Sequence, residues 1–276
     1  MNIRQLLATA REALEGSPTA RLDTEVLLGH VLSLSRAWLY ANSGADVPAE
    51  KLDEFLLLLE RRRQGEPIAY LTGQREFWSL TLKVTPDVLI PRPETELLVE
   101  AVLARIPADA RWRVVDLGTG SGAIAIAIAS ERKLCAVHAS ENSAAALAVA
   151  VENAEAIVPG RIQFHRGSWL SPLQGTFQFI VSNPPYVVMG DPHLQQGDVR
   201  YEPVSALSPG YDGLAALRII AGDSLPMLDG RGWLAFEHGF DQGKSVRKIM
   251  QGLGYSEVET LTDPAAKERV TLARKP

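Results

Sequence analysis

The chain has 276 residues, of which 46% are hydrophobic and 22% charged, and its net charge at pH 7 is −5. This composition is typical of a soluble globular protein and excludes disordered and fibrous classes. The acidic balance argues against stable binding of nucleic acid. The single Cys135 excludes an intramolecular disulfide, and no stretch resembles a signal peptide or a membrane span. We therefore predict a cytoplasmic protein without a membrane span.

The first part of the chain has a helical pattern. Apolar residues recur at spacings of three and four in IRQLLATAREAL, TEVLLGHVLSL and AEKLDEFLLLLERRRQG. We predict a small all-α helical bundle domain over residues 1–75, with Asp23 and Thr24 capping its second helix. The third helix ends at Arg61–Arg63, where positive charge suits the helix dipole. We interpret these arginines as a solvated helix end, with an RNA contact as the alternative.

The rest of the chain changes to strand patterns. Residues 76–91, EFWSLTLKVTPDVLIP, alternate apolar and polar positions, which predicts a β-hairpin linker. Short apolar strands then alternate with helical segments, which is typical of an α/β fold with a parallel sheet. The seven predicted strands are WRVVDLG, LCAVHAS, RIQFHRG, FQFIVSN, GWLAFEHG, SEVETLT and RVTLAR. Too few residues separate the last two for a helical crossover, so we predict an antiparallel hairpin at one edge.

A ligand site is predicted at VVDLGTGSGAIAIAIAS, residues 114–130. An apolar strand with Asp116 is followed by Gly118, Gly120 and Gly122, which open an alanine-rich helix. Glycines let a backbone approach a ligand closely, and the helix N-terminus presents unpaired N–H groups. The spacing G-x-G-x-G differs from the dinucleotide fingerprint, and no Gly-Lys-Ser/Thr follows for a nucleoside triphosphate. A tight turn without a ligand is the alternative.

A second candidate ligand group ends the next strand, in VHASENS. Glu141 is placed there to accept hydrogen bonds from ribose hydroxyls, with Ser140 and Asn142 as alternatives. A ribose without a phosphate, at a glycine turn preceded by an acid, suits S-adenosylmethionine. Here the chain resembles the seven-stranded, Rossmann-like class I methyltransferases. The resemblance implies that Trp169, beside Ser168, lies against the adenine ring, and a plain core aromatic is the alternative.

The fourth strand ends in the tetrapeptide Asn183, Pro184, Pro185 and Tyr186. In a parallel sheet the Asn183 side chain would project beyond the carboxyl end of its strand, beside the methyl donor. Its oxygen and the Pro184 carbonyl are suited to hold both hydrogens of a planar NH2 group. Pro185 restricts the residue before it to an extended conformation, and Tyr186 offers a flat face for stacking. The amino groups of DNA bases and the amide of glutamine both fit this arrangement.

Seven stretches occur together in an order that one known family shares. They are PIAYLTGQREFWSL, LIPRPETELLVE, VVDLGTGSGAIAIA, IVSNPPYV, DPHLQQGDVRYEPVSAL, EHG and ERVTLAR. In these stretches the chain resembles the release-factor glutamine methyltransferase family (PrmC/HemK type). The resemblance implies methylation of N5 of the glutamine in the Gly-Gly-Gln motif of class 1 peptide chain release factors, with S-adenosyl-L-methionine as donor. It also implies a helical substrate-recognition domain at 1–75, a β-hairpin linker at 76–91 and a methyltransferase domain at 92–276.

The resemblance also implies the site residues. The implied cofactor contacts are Asp116, Gly118, Thr119, Gly120, Ser121, Gly122, Glu141, Trp169 and Asn183. The implied substrate contacts are Asn183, Pro184, Pro185 and Tyr186, of which Asn183, Pro184 and Tyr186 are the catalytic set. The family commonly carries Asp where this chain has Glu141. Class 1 release factors are the predicted partners, and we predict no metal site.

Other functions remain open at this point. A ribosomal-protein glutamine methyltransferase is the nearest alternative, and the segment DPHLQQGDVRYEP favours the release-factor branch by resemblance. A DNA adenine-N6 methyltransferase would need a basic target-recognition segment, which this acidic chain lacks. A non-catalytic adaptor that binds translation factors would not need the glycine turn or the tetrapeptide.

Two further groups of residues have two interpretations each. Arg92, Glu94 and Glu96, in IPRPETE, either shape the rim of the site or place acidic charge at a helix N-terminus. Glu237 and His238, at the end of the fifth strand, either border the pocket or pack at the strand end.

Overall fold

The computed structural model describes residues 1–276, which divide into two compact units. The first comprises residues 1–74 and 196–201, and the second residues 75–195 and 202–276. The helices are α1 (Ile3–Ala13), α2 (Ala20–Leu32), α3 (Arg36–Ala41), α4 (Ala49–Arg63), α5 (Ile68–Thr72), α6 (Glu96–Leu103), α7 (Ala123–Glu131), α8 (Ala144–Ile157), α9 (Val204–Leu207), α10 (Ala215–Met227) and α11 (Gly243–Gly252). The strands are β1 (Gln74–Phe77), β2 (Leu80–Lys83), β3 (Arg113–Leu117), β4 (Ala136–Glu141), β5 (Ile162–Arg166), β6 (Phe177–Ser182), β7 (Leu228–Glu237), β8 (Ser256–Thr262) and β9 (Glu268–Arg274). No helix combines the length and hydropathy that a membrane span requires.

The first unit is a bundle of the helices α1 to α5 around an apolar core. Their apolar faces meet in this core, where Ile3, Leu6, Leu27, Leu28 and Phe55 are almost fully buried. The helices α3 and α5, with six and five residues, were not predicted because they are too short to repeat an apolar period. The predicted all-α bundle is confirmed.

The start of α2 differs from its prediction. The helix begins at Ala20, so Asp23 and Thr24 lie inside the helix and do not cap it. The side chains of the first two residues after Ala20 are exposed. The start of the helix was predicted from apolar residues that face the core, and this first turn contributes none of them there. Asp23 is buried, and its carboxylate accepts a hydrogen bond from the Thr19 hydroxyl at 3.0 Å.

The basic end of α4 is less solvated than predicted. Nε of Arg62 donates to Asp23 and its Nη1 donates to Asp198, each at 2.8 Å. The Arg62 side chain is only 12% exposed. The interpretation of Arg62 as part of a solvated helix end is therefore wrong, because its partners come from residues far away in the sequence.

The second unit is built on a seven-stranded sheet with the order β5-β4-β3-β6-β7-β9-β8. β9 is antiparallel to both neighbours, and the other adjacent pairs are parallel. The predicted strands and their antiparallel edge hairpin are present, which confirms the α/β, Rossmann-like fold class. Helices α6, α7 and α8 contribute to the apolar core on one face, and α10 and α11 to the core on the other. Because both faces are covered, consecutive apolar residues are buried in these strands, Val114 and Val115 in β3 and Phe179, Ile180 and Val181 in β6.

The strand order creates a crevice beside β3. The chain continues from β3 to β4 on one side and later returns to the other side of β3 as β6. In open α/β sheets, ligands bind beyond the carboxyl ends of strands at such a reversal. Leu117 and Ser182, the last residues of β3 and β6, are paired in the sheet. The glycine turn and the tetrapeptide therefore leave the sheet side by side.

The hairpin predicted at residues 76–91 is shorter in the structure. Its two strands are β1 and β2, and residues 84–91 form no strand. Val84, Val88 and Ile90 are nevertheless buried. The chain turns at Pro86 and Asp87 instead of continuing as a strand, so the alternating pattern predicted burial correctly and strand length wrongly.

Candidate active site

A cleft of about 280 Å³ lies at the carboxyl ends of β3 and β6 in the second unit. Eight of the residues predicted from the sequence line it: Gly118, Thr119, Gly120, Ser121, Glu141, Trp169, Asn183 and Pro185. Asp116, Gly122, Pro184 and Tyr186 are not part of its lining. The glycine turn, the end of β4 and the first part of the tetrapeptide thus share one cavity.

The glycine turn has a left-handed backbone at each of its three glycines. A Cβ at Gly118, where φ is 69°, would lie 2.8 Å from Cζ3 of Trp169, so glycine is needed for the close approach of this ring. A Cβ at Gly120, where φ is 56°, would meet no atom within 4 Å. Because Gly120 also lines the cleft, its bare backbone is open to a ligand. A Cβ at Gly122 would meet the core residue Ile126 at 3.0 Å, so this glycine serves helix packing.

Asp116 lies in β3 behind the turn and is 1% exposed. Its Oδ2 accepts a hydrogen bond from the Thr119 hydroxyl at 2.5 Å, and its Oδ1 has no hydrogen-bond partner. Burial raises the pKa of Asp116 to about 7, the hydrogen bond from Thr119 opposes this rise, and the charge of Glu141 adds to it. A buried acceptor without a partner calls for a donor from elsewhere. A positively charged ammonium group on a ligand would be such a donor.

We predict that Asp116 makes the ligand-free protein less stable as the pH rises. Its ordinary pKa is 3.8, and in the folded protein the value is about 7. The folded state binds the proton more tightly, so this stabilisation is complete below about pH 4 and is lost as the pH rises through about 7. In chemical denaturation, the contribution of Asp116 to the free energy of unfolding should fall as the pH rises across this range. Asp116→Asn should reduce this fall by a few kcal/mol. The exposed Asp223→Asn on α10 is the control; an unchanged slope in Asp116→Asn would contradict the prediction.

Glu141, the last residue of β4, has its carboxylate against the glycine turn. Oε2 accepts from the backbone N–H of Gly120 at 3.0 Å, and Oε1 accepts from that of Ser143 at 2.9 Å. Two backbone donors thus fix the carboxylate in the cleft wall, and its oxygens keep lone pairs for ligand hydroxyls. Of the two alternatives, Ser140 is buried, whereas Asn142 also lines the cleft. The geometry favours Glu141 over Ser140 as a ligand group.

Trp169 lies between the cleft and the core. Its side chain lines the cleft together with Ser168 and also packs against the apolar cluster that includes α10 and α11. This position is compatible with both interpretations of the residue, the adenine partner and the core aromatic.

The tetrapeptide places one amide at the cleft wall. Nδ2 of Asn183 donates to the Thr95 hydroxyl oxygen at 3.2 Å, which leaves Oδ1 free to accept a hydrogen bond in the cleft. Pro184 is buried, and Pro185 lines the cleft. Oη of Tyr186 donates to Oε1 of Glu237 at 3.1 Å. Burial raises the pKa of Tyr186, so its hydroxyl keeps the proton that it donates.

The segment IPRPETE contributes to the site in ways that the sequence indicated only in part. Arg92 lines the cleft, as the rim interpretation requires, and forms an ion pair with the buried Glu202. Glu96 instead accepts a hydrogen bond from the backbone N–H of Trp78 at 2.8 Å. Thr95, which lines the cleft and contacts Asn183, was missed. The only sequence signal for it is its place among charged residues just before a helix.

The two polar residues at the end of β7, Glu237 and His238, have different surroundings. His238 is fully buried, and its Nε2 contacts the Thr271 hydroxyl at 2.8 Å, which is packing at the strand end. Glu237 is also buried but reaches Tyr186 of the tetrapeptide. Glu237 therefore supports the site from behind the cleft, although it is not part of the lining.

The seven-stranded sheet with a glycine turn after β3 and an acid ending β4 defines the class I methyltransferase fold. Two family models match the chain: the PrmC N-terminal domain at residues 5–73 and the methyltransferase small domain at residues 93–197. The chain is 48% identical to the release factor glutamine methyltransferase of Xylella fastidiosa, over 98% of this chain and 97% of that protein. It belongs to the release factor glutamine methyltransferase family.

More distant solved structures share the fold. A methyltransferase from Pyrococcus furiosus matches with a TM-score of 0.55 and 18% identity, over 78% of this chain and 95% of that chain. A 16S rRNA methyltransferase from T. thermophilus, solved with AdoMet and guanosine, matches with a TM-score of 0.54 and 19% identity, over 74% of this chain and 50% of that one. At these identities the similarity shows the fold alone.

Proposed function

We propose that this protein transfers a methyl group from S-adenosyl-L-methionine to N5 of the glutamine in the Gly-Gly-Gln motif of class 1 peptide chain release factors. The observation that carries the proposal is the Asn183 amide in the wall of the glycine-turn cleft, with its nitrogen bonded to Thr95 and its oxygen free. The near full-length similarity to the Xylella fastidiosa release factor glutamine methyltransferase supports this choice of substrate.

The cleft offers the groups that the donor requires. Behind the cleft lining, the unpartnered Oδ1 of Asp116 is a buried acceptor that suits the ammonium group of the methionine part, which has to pass the glycine turn to reach it. The Glu141 carboxylate, fixed by two backbone N–H groups, suits the ribose hydroxyls. The open backbone at Gly120 allows close approach, and Trp169 offers its ring to the adenine. When bound, S-adenosylmethionine supplies an electrophilic methyl group on its sulfonium.

The tetrapeptide orients the acceptor nitrogen. An amide nitrogen is a weak nucleophile because its lone pair is conjugated with the carbonyl. Oδ1 of Asn183 and the carbonyl oxygen of Pro184 accept its two hydrogens, which aligns the nitrogen for in-line attack. In this proposal Pro185 fixes the direction of the Pro184 carbonyl, and Tyr186 stacks against the planar amide. Pro184 and Tyr186 lie outside the lining of the cleft, so the acceptor amide has to enter beyond that lining to meet them. No general base is needed, because the methylated cationic nitrogen is acidic enough to lose its proton to water.

The parts of the chain have separate roles in this proposal. Residues 1–75 recognise the release factor, residues 76–91 form the linker, and residues 92–276 carry out the transfer. The match of residues 5–73 to the PrmC N-terminal domain supports the first assignment. The protein acts in the cytoplasm, and its partners are class 1 release factors rather than nucleic acid.

The test uses donor with a labelled methyl group and a purified class 1 release factor. The intact release factor should be labelled, and one whose Gly-Gly-Gln glutamine is changed to alanine should not. Calorimetry should show donor binding to the protein alone, whereas a non-catalytic adaptor would not bind the donor. Equal labelling of both release factors would overturn the site assignment.

A further inference from the structure

We propose that Thr95 is a positioning residue that sets which end of the Asn183 amide faces the acceptor nitrogen, and that Glu237 supports it from behind. The proposal rests on the proposed function, because it concerns the acceptor side of the same site. Both residues act through the tetrapeptide, Thr95 through Asn183 and Glu237 through Thr95 and Tyr186.

The two ends of the Asn183 amide differ in the hydrogen bonds that they form. Its oxygen accepts hydrogen bonds and its nitrogen donates them, so a half-turn of the group exchanges an acceptor for a donor. The NH2 group that receives the methyl group donates hydrogen bonds, so it needs the oxygen end of the Asn183 amide. The nitrogen end would place a second hydrogen-bond donor against it. The bond from Nδ2 to Thr95 at 3.2 Å holds the nitrogen end of the Asn183 amide, and the buried carboxyl of Glu237 is the other polar group beside it. Thr95 therefore favours the orientation in which Oδ1 faces the cleft, provided that its hydroxyl accepts rather than donates.

The direction of the Thr95 hydroxyl hydrogen determines whether this group accepts from Asn183 or donates to it. This group has one hydrogen, and it could donate that hydrogen to Oδ1 of Asn183, which would hold the amide the wrong way round. Thr95 accepts from Asn183 only if its own hydrogen is directed elsewhere. Thr95 is 5% exposed, so we expect a group of the protein beside it, rather than bulk water, to take that hydrogen.

Glu237 is the group placed to do so. It is 2% exposed, and its Oε2 has no hydrogen-bond partner. Burial raises the pKa of Glu237, and Thr95 is the neighbour whose polar contact opposes this rise most strongly. Thr95 and the carboxyl form no hydrogen bond in the structure; both contact the tetrapeptide, Thr95 at Asn183 and Glu237 at Tyr186, and we assign the Thr95 hydrogen to Glu237 on that basis. A carboxyl group retains acceptor capacity in both protonation states, so the raised pKa does not remove this role.

The other oxygen of Glu237 extends the arrangement to Tyr186. Oε1 accepts the hydrogen bond of the Tyr186 hydroxyl at 3.1 Å. β6 and β7 are parallel neighbours in which Ser182 pairs with Phe236, so Asn183 and Glu237 are the next residues on adjacent strands. One buried carboxyl is therefore adjacent to both polar side chains of the tetrapeptide.

The kinetic test compares Thr95→Val with Thr95→Ser, which differ in whether a hydroxyl remains. We expect Thr95→Val to lower kcat by about 10- to 100-fold, because the acceptor nitrogen is then misaligned. Thr95→Ser should stay within about threefold of wild type, since its hydroxyl keeps the hydrogen bond. Donor affinity and melting temperature should change little in either variant. Thr262→Val, at an exposed position on β8, is the control.

The same test applies to Glu237. Glu237→Leu removes both acceptor oxygens, and we expect kcat to fall by about tenfold or more. Glu237→Gln retains one acceptor oxygen and should lose less activity. Glu155→Gln, exposed on α8, is the control. A buried group with only a structural role would lower the melting temperature and leave kcat of the folded enzyme unchanged.

A second measurement does not depend on methyl transfer. In protein labelled with ¹⁵N at asparagine, the side-chain amide signal of Asn183 is identified by its absence from Asn183→Ala. Its hydrogens should exchange with solvent at least about tenfold faster in Thr95→Val than in wild type or Thr95→Ser, because the hydrogen bond is lost. Equal exchange in Thr95→Val and wild type would overturn the proposal.

The outcomes separate this proposal from the proposed function. If wild type does not label the release factor, the proposed function fails, and the exchange measurement still decides the role of Thr95. If wild type labels the release factor and Thr95→Val is folded and equally active, the proposal fails and the proposed function stands. Equal loss of kcat in Thr95→Ser and Thr95→Val would also overturn it.

Discussion

Changing Asn183 to alanine should lower kcat for methyl transfer by about 10³-fold or more, because a preorganised group that orients the reacting nitrogen is lost. One hydrogen of the acceptor NH2 then has no partner, and the nitrogen is no longer held in line with the methyl group. Asp116, Glu141 and the glycine turn remain, so donor affinity should fall by less than about tenfold. Single-turnover kinetics and calorimetry measure the two effects separately.

The matched control for Asn183→Ala is Gln251→Ala, which removes an exposed amide at the end of α11. This control should have wild-type kcat and donor affinity. Turnover near the wild-type rate in Asn183→Ala would show that other groups orient the acceptor. A complete loss of donor binding would show that Asn183 belongs mainly to the cofactor site.

Glu141→Ala should weaken donor binding by about 10- to 100-fold, as expected when hydrogen bonds to a charged group are lost. The carboxylate is fixed by the backbone N–H groups of Gly120 and Ser143, so little of its binding energy is spent on ordering the side chain. At saturating S-adenosylmethionine, kcat should stay close to wild type, since Glu141 is assigned to the ribose and not to the amide that receives the methyl group. Calorimetry with S-adenosylhomocysteine measures the affinity without turnover.

Two further variants test whether Glu141 acts as a ribose ligand. Glu141→Asp, which carries the acid that the family commonly has, should recover much of the lost affinity because a carboxylate remains. Glu155→Ala, at an exposed position on α8, should have wild-type affinity. Donor affinity within about twofold of wild type in Glu141→Ala would assign the ribose to another group, with Asn142 the nearest candidate in the cleft lining.

The fold could be predicted from sequence wherever a pattern repeats. The strands of the sheet were predicted because short apolar segments alternate with helical ones, and the last pair was predicted as a hairpin because too few residues separate its strands for a crossover. The short helices α3 and α5 and the start of α2 were not, because one or two turns do not show a period. The buried pair of Arg62 and Asp198 was also missed, since its partners are 136 residues apart.

Some residues of the candidate site could be predicted from local motifs, and others could not. Local motifs predicted the residues that follow directly from strand ends, Gly118, Glu141 and Asn183, because the carboxyl ends of parallel strands meet at one edge. Thr95 and Glu237 come from a helix start and from another strand, in the stretches LIPRPETELLVE and EHG, whose residue types do not by themselves indicate a chemistry. Only the three-dimensional structure shows that they meet the tetrapeptide.

The central claim is that the tetrapeptide presents one particular nitrogen to the donor, and tandem mass spectrometry of the methylated release factor tests it most directly. The release factor is incubated with this protein and S-adenosylmethionine, digested and sequenced by fragmentation. We expect one added methyl group, on the side-chain amide nitrogen of the Gly-Gly-Gln glutamine. A methyl group on any other residue, or methylation by Asn183→Ala at the wild-type rate, would show that the tetrapeptide does not select this nitrogen.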